Sequence, residues 1–182
     1  MTNQTFEIID GVYSGPEVWE WYLDLREYKD TLTSLGVLKE VRGYLHLEGC
    51  TSLTSLGSLT KVGGSLDLGG CTRLVSLGSL KEVDGYLALR DCTSLTSLGS
   101  LTKVGGWLQL RGCTSLVSLG SLKEVMYGLF LGDENISLQE VQEKIRHFSS
   151  LLSHEALNAL HTNEVQEVPL FKNILLQILQ GG

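Results

Sequence analysis

The sequence predicts a repeat solenoid of the α/β class, with a parallel β-sheet on one face and a helical cap at its C-terminal end. Three observations carry this expectation. A 21-residue unit recurs five times in tandem across residues 30–134, and a unit that short cannot bury its own apolar face, so the copies must stack. Inside the unit, leucines two residues apart mark a strand with one side inward. Beyond residue 134 the apolar spacing lengthens to that of a helix.

The clearest copy is TSLTSLGSLTKVGGSLDLGGC at residues 51–71. With positions numbered 1 to 21, positions 3, 6, 9, 12, 16 and 18 are Leu, Leu, Leu, Val, Leu and Leu in every copy, here Leu53, Leu56, Leu59, Val62, Leu66 and Leu68. A strand through Leu66-x-Leu68 sends both leucines inward and their neighbours outward. Position 7 is always glycine, from Gly36 to Gly120, and position 14 is glycine in four copies. Such glycines suit corners that need positive φ or close backbone approach. Each coil is therefore expected to be a strand, a corner and a Leu-rich irregular return arm. Positions 9–12 alternate between Leu-Lys-Glu-Val and Leu-Thr-Lys-Val, a 42-residue super-period that points to duplicated pairs of coils and to no chemistry.

Residues 1–29 form an N-terminal cap. A short strand is expected from Thr5 to Ile9, then a turn at Gly11 and Ser14-Gly15-Pro16. Residues 21–28, WYLDLREY, match the strand of the first copy, GYLHLEGC, with Tyr28 in the cysteine's place and one extra residue near Lys29. A degenerate first coil over 17–28 is expected, the alternative being an amphipathic helix opened by Pro16. Residues 135–182 are expected to be a helical cap. Ser137-Leu138-Gln139-Glu140 is a capping box, with Leu138, Val141, Ile145, Phe148 and Leu152 on one helical face. A second helix follows Ser153, and a third starts at Pro169 with Leu170, Phe171, Ile174, Leu175, Ile178 and Leu179 as its apolar stripe. Their expected role is to cover the last coil, with a second binding element as the alternative.

Composition bounds the function. The chain has 182 residues, a net charge of −7 and 42% hydrophobic residues, enough for one capped solenoid and too apolar for wholesale disorder. Residues 1–29 hold 2 basic and 6 acidic side chains, 30–134 hold 9 and 10, and 135–182 hold 3 and 5. No segment is basic, which argues against nucleic acid or an anionic membrane as ligand. The opening MTNQTFEIID lacks the basic and apolar stretches of a signal peptide. No apolar run nears the roughly 18 residues of a membrane span. A cytoplasmic location is the expectation.

The segment Val62-x-x-x-Leu66-x-Leu68-x-x-Cys71-x-x-Leu74 resembles the leucine-rich repeat, whose strand segment reads L-x-x-L-x-L-x-x-N/C-x-L. The match recurs through 30–134 with two departures: the first anchor is Val, one place early, and two residues separate Cys71 from Leu74. The cysteine form is similar to the cysteine-containing class of these repeats. The Val-x-Gly-x-Leu-x-Leu wording is similar to the β-helix-like L domains of receptor ectodomains, and the Leu-x-Ser-Leu-Gly wording to repeats of bacterial and phage proteins. The resemblance implies a right-handed coil, protein recognition on the concave sheet and very rarely catalysis. It also implies that Cys50, Cys71, Cys92 and Cys113 point inward and satisfy backbone groups at the corner after the strand.

No residue pattern points to catalysis, a cofactor or a metal. The four cysteines, 21 residues apart, lack the clustered spacing of a zinc site, and inward side chains on parallel strands rarely meet disulfide torsions. His154-Glu155 with His161 lacks the zincin spacing, and Gly63-Gly64 with Gly69-Gly70 lacks the Lys-Ser/Thr of a phosphate loop. Asp67 has no acidic neighbour in its column, as a sugar-cleaving carboxylate pair would need.

Differences among the copies collect at positions 13, 15, 17 and 19. Position 15 is Tyr44, Ser65, Tyr86, Trp107 and Gly128; position 17 is His46, Asp67, Ala88, Gln109 and Phe130; position 19 is Glu48, Gly69, Arg90, Arg111 and Gly132. Strand parity puts these outward on one face, joined by Tyr22, Asp24 and Arg26 of the degenerate coil. The face varies and carries Tyr, Trp, Phe and Arg, whereas the exposed return arms keep Ser at position 5 throughout. The expected function is non-catalytic binding of a protein or peptide, in the manner of an inhibitor or adaptor, through Tyr22, Tyr44, His46, Tyr86, Arg90, Trp107, Gln109, Arg111 and Phe130. Arg90 and Arg111 on adjacent strands suit an acidic partner group. The alternative is a structural solenoid that orders water or ice on a ladder of Thr51, Thr72, Thr93 and Thr114.

Overall fold

A computed structural model describes residues 4–130 and the backbone of 135–136. The chain enters through an antiparallel hairpin of β1 (Glu7–Ile9) and β2 (Val12–Ser14). Its two-residue turn, Asp10 and Gly11, has φ of 50° and 78°, the mirror-image turn that matches strand twist and favours an Asp-Gly pair. The expected Thr5–Ile9 strand is thus the first arm of a hairpin.

From Val18 onward each coil supplies two short strands. The corner sheet contains β3 (Val18–Trp19), β5 (Glu40–Val41), β7 (Lys61–Val62), β9 (Glu82–Val83), β11 (Lys103–Val104) and β13 (Glu124–Val125), all parallel. The main sheet contains β4 (Leu23–Asp24), β6 (Leu45–His46), β8 (Leu66–Asp67), β10 (Leu87–Ala88), β12 (Trp107–Gln109) and β14 (Gly128–Phe130), also parallel. A last strand, β15 (Asn135–Ile136), lies antiparallel to β14 and closes that end of the main sheet. The result is a parallel β-solenoid of about five turns.

Two expectations change. The return arm is not irregular: it carries the corner sheet, and isolated parallel bridges link Ser34 to Ser55, Ser76 to Ser97 and Ser97 to Ser118. Parallel sheet therefore occupies more than one face. Residues 17–28 hold two short strands, Val18–Trp19 and Leu23–Asp24, and a single 3-10 turn at Arg26–Tyr28, the arrangement expected of a degenerate first coil and not the amphipathic helix given as its alternative. That turn is the only helix among the described residues, so the α component of the expected class is not seen there. The helices expected from 137 onward lie outside the described residues.

Register follows from the repeat. Leu45 faces Leu66 at the repeat's 21-residue spacing, while Leu23 faces Leu45 across 22 residues, which places the inserted residue between them. Positions 3, 6, 9, 12, 16 and 18 point inward and stack, giving a core of Leu and Val from Leu23 to Leu129 with no buried polar or charged residue among those described. Each such leucine contributes about 1.5–3 kcal/mol by leaving water. Phe6 covers the first coil, with its ring centroid 5.5 Å from Tyr13, 5.6 Å from Trp19 and 5.9 Å from Tyr28.

The 42-residue super-period has a physical meaning that only register reveals. Its alternation puts Glu40, Lys61, Glu82, Lys103 and Glu124 side by side in the corner sheet. Identical coils would stack like charges about 4.8 Å apart. Alternating coils stack opposites instead: Lys61 Nζ lies 3.0 Å from Glu82 and 3.1 Å from Asp84, and Lys103 lies 3.9 Å from Glu124. These carboxylates hold the Lys61 ammonium above its usual pKa.

Candidate binding face

The outward positions of the main sheet form three columns because its strands are parallel and in register. The central column runs Asp24, His46, Asp67, Ala88, Gln109 and Phe130. Tyr22, Tyr44, Ser65, Tyr86, Trp107 and Gly128 flank it on one side, and Arg26, Glu48, Gly69, Arg90 and Arg111 on the other. All nine residues expected at the site lie on this one sheet, but they fall into two unlike halves.

The half nearer the N-terminus is polar and internally paired. Arg26 donates to Asp24 through Nε at 2.9 Å and a terminal nitrogen at 2.6 Å, and the Tyr22 hydroxyl donates to Asp24 at 3.0 Å. The Arg26 guanidinium holds the Asp24 carboxyl well below the usual carboxylate range. The Tyr22 ring lies 5.2 Å from the imidazole of His46, whose Nδ1 is buried without a hydrogen-bond partner. Tyr44 stands exposed beside them. Arg90 reaches across Gly69 to donate to Glu48, two coils away, and approaches Asp67 at 3.9 Å. Gly69 is what permits that crossing, since a Cβ there would stand 2.9 Å from Arg90 Nε.

Arg90 is therefore engaged within the face, and the expected pair of arginines offered to an acidic partner is not what the sheet presents. Arg111 stands exposed on the next strand in the same column. Asp24, Arg26, Glu27, Lys29, Glu48 and Gly49 line an open depression of about 630 Å³ at the N-terminal end of this column, with both charge signs on its walls.

The half nearer the C-terminus is aromatic. The Tyr86 hydroxyl donates to Gln109 Oε1 at 2.6 Å, and burial raises the Tyr86 pKa. Ala88 faces outward in the column yet is buried, at 1% exposure, so it offers no contact. The Trp107 ring lies 5.0 Å from Phe130 and 6.0 Å from Tyr127, tilted to both, as aromatic pairs prefer. Tyr127, 61% exposed, extends this cluster around the corner, and its chain neighbour Met126 is 55% exposed.

Sequence reasoning missed Met126 and Tyr127, although a signal was present. In four copies position 14 is glycine, and a Cβ on Gly106 would stand 2.8 Å from the carbonyl of Gly85. The last copy places Tyr127 there and moves glycine to position 15, as Gly128 with φ 139°. The corner loosens accordingly: Tyr127 N to Gly106 O is 3.4 Å, against 2.9 Å for Gly85 N to Gly64 O. The broken repeat rule marks the place where an aromatic side chain is displayed.

The cysteines form a buried ladder of free thiols, each donating to a carbonyl of the preceding coil: Cys71 to Leu47 at 3.3 Å, Cys92 to Leu68 at 3.1 Å and Cys113 to Leu89 at 2.9 Å. This is the inward, backbone-satisfying placement that the repeat wording implies. Burial pushes the Cys50 thiol up to about 11 and those of Cys92 and Cys113 up to about 12, so they remain protonated and unreactive near neutrality. Among the described residues no three His, Cys, Asp or Glu side chains group as metal ligands.

No family model, no curated protein and no solved structure matches the chain. The constant positions of the coils have a structural cause. Ser55 Oγ accepts from Gly57 N at 3.0 Å, and Ser34, Ser76, Ser97 and Ser118 do the same one coil at a time. Gly57 itself has φ 57°, and a Cβ there would stand 2.4 Å from Gly36 O. The constancy of these serines and glycines is a requirement of the corner, so it says nothing about selection on the sheet face.

Proposed function

We propose that the chain is a non-catalytic binding module that recognises a protein or peptide on the aromatic half of the main sheet, around Trp107, Tyr127, Phe130 and Met126. The observation that carries this reading is the exposed cluster itself: a last coil that gives up its tight glycine corner and sets Met126 and Tyr127 in solvent, with the Tyr127 ring beside Trp107. Grouped Trp, Tyr and Met on a rigid sheet are the usual anchors of recognition surfaces. The polar half, with Arg26 and Arg90 held by Asp24 and Glu48, then serves as a rim that contributes little affinity. Inhibitor and adaptor roles both fit such a module.

We also read the coils as leucine-rich repeats of the cysteine-containing or L-domain-like kind, with a right-handed turn. The wording from Val62 to Leu74 and the thiol-to-carbonyl bonds support that kinship. The water-ordering alternative, a ladder of Thr51, Thr72, Thr93 and Thr114, gains no second column from its neighbours, since Thr54, Thr60, Thr96 and Thr102 donate their hydroxyl protons to carbonyls of the preceding coil at 3.0–3.1 Å.

The test is to pan a displayed random-peptide library against the immobilised protein, then measure the enriched peptides against variants. Trp107→Ala and Tyr127→Ser should each weaken binding at least tenfold with unchanged circular dichroism. Arg90→Ala should change it less than threefold. Peptides that bind both aromatic variants as they bind the wild type would sink this assignment.

A further inference from the structure

A solenoid of parallel strands has an end where the backbone of the first coil lacks a partner, and such an edge is a template for pairing with another chain. In the corner sheet one bond repeats from coil to coil. The amide at position 13 donates to the position-12 carbonyl of the coil before it: Arg42 N to Trp19 O at 2.8 Å, Gly63 N to Val41 O at 2.8 Å, Asp84 N to Val62 O at 2.9 Å, Gly105 N to Val83 O at 2.8 Å and Met126 N to Val104 O at 3.0 Å. In the first described coil the same amide belongs to Glu20, and β3 is the end strand of the corner sheet among the described residues. The acceptor there is the side-chain oxygen of Gln4, at 2.8 Å. The same carboxamide donates through Nε2 to Val18 O, also at 2.8 Å. One side chain thus satisfies both a donor and an acceptor on the open edge of β3, standing where a strand would stand. Two residues on, Phe6 covers the core at the same end.

We propose that Gln4 is an edge plug that keeps β3 from pairing with β3 of a second copy of this chain. Its carboxamide imitates a peptide group, which carries one donor and one acceptor in the same spacing. With the plug removed, the edge presents an unpaired amide and carbonyl beside Val18 and Trp19. The identical edge of another molecule meets that pattern across a two-fold axis, as a self-complementary patch.

The full-length protein and the variants Gln4→Ala and Gln4→Glu would be compared by amide hydrogen exchange and by sedimentation velocity over a concentration series. In Gln4→Ala the Glu20 amide should exchange at least tenfold faster in dilute solution, below the concentrations at which copies associate, and the sedimentation coefficient should rise with concentration where that of the wild type does not. Gln4→Glu keeps an oxygen acceptor for Glu20 and loses the donor to Val18, so its Glu20 amide should stay protected while association rises only partly. Unchanged Glu20 protection in Gln4→Ala would overturn the plug. Faster exchange without association in the folded variant would overturn the assembly-blocking role.

Discussion

At the residue scale the corner and the thiol ladder make the sharpest predictions. Gly57 and Gly78 have nearly the same φ, 57° and 58°, but a Cβ would meet Gly36 O at 2.4 Å in the first case and nothing within 4 Å in the second. Gly78→Ala should cost only the left-handed backbone penalty of about 1–2 kcal/mol. Gly57→Ala should cost clearly more, as read from urea midpoints; equal losses would show that the φ alone matters. The thiols predict an alkaline limit. Their ordinary value is 9.0, raised by burial to about 11 for Cys50 and about 12 for Cys92 and Cys113. The folded state therefore binds these protons more tightly than the unfolded state. Its advantage is intact below pH 9 and is lost as pH rises through 11 to 12. The urea midpoint should fall between pH 8 and pH 10.5. A native thiol titration near neutral pH should find no fast-reacting group, and four after unfolding.

At the element scale the corner sheet depends on charge alternation. Lys61→Glu would place three carboxylates in register from residue 40 to residue 82 and remove the ion pairs to Glu82 and Asp84. Lys61 is 39% exposed, so solvent screens the change, and about 1 kcal/mol of destabilisation is expected. The loss should shrink in 1 M salt, where the screening length is about 3 Å. A loss that ignores salt would point to packing of the lysine stem instead. The alternation of Lys-Glu and Thr-Lys was legible in the sequence, but its cause was not, because which charges meet depends on the register between coils.

At the scale of the whole molecule each coil touches its neighbours, so stability should behave as a chain of adjacent interfaces. Leu108, fully buried in the fifth strand of the parallel series, is a suitable probe. Leu108→Ala should cost about 2–5 kcal/mol. The loss should appear in hydrogen exchange mainly at amides of the coils on either side, leaving those near Leu45 protected. Uniform deprotection from end to end would mean that the solenoid unfolds as one cooperative block. The candidate face shows the same division between near and far. Trp107, Gln109 and Phe130 were placed together by strand parity alone. The capture of Arg90 by Glu48 was hidden, since the partners are 42 residues apart and joined only because Gly69 lies between them. Tyr127 was not legible from strand parity because it sits at the corner position that is glycine in the other four copies, outside the alternating strand.

The sequence by itself determined the coil: its 21-residue length, which leucines turn inward, and which side chains share the outer side of the main strand. These follow from local periodicity, since a strand alternates sides whatever surrounds it. Only the tertiary structure decided that a second parallel sheet runs through the return arm, that the super-period is a charge ladder, and that Gln4 stands in for a missing strand. Each of those depends on which backbone and side-chain groups from different coils come within hydrogen-bonding distance, and a strand's pattern of alternation does not specify its neighbour.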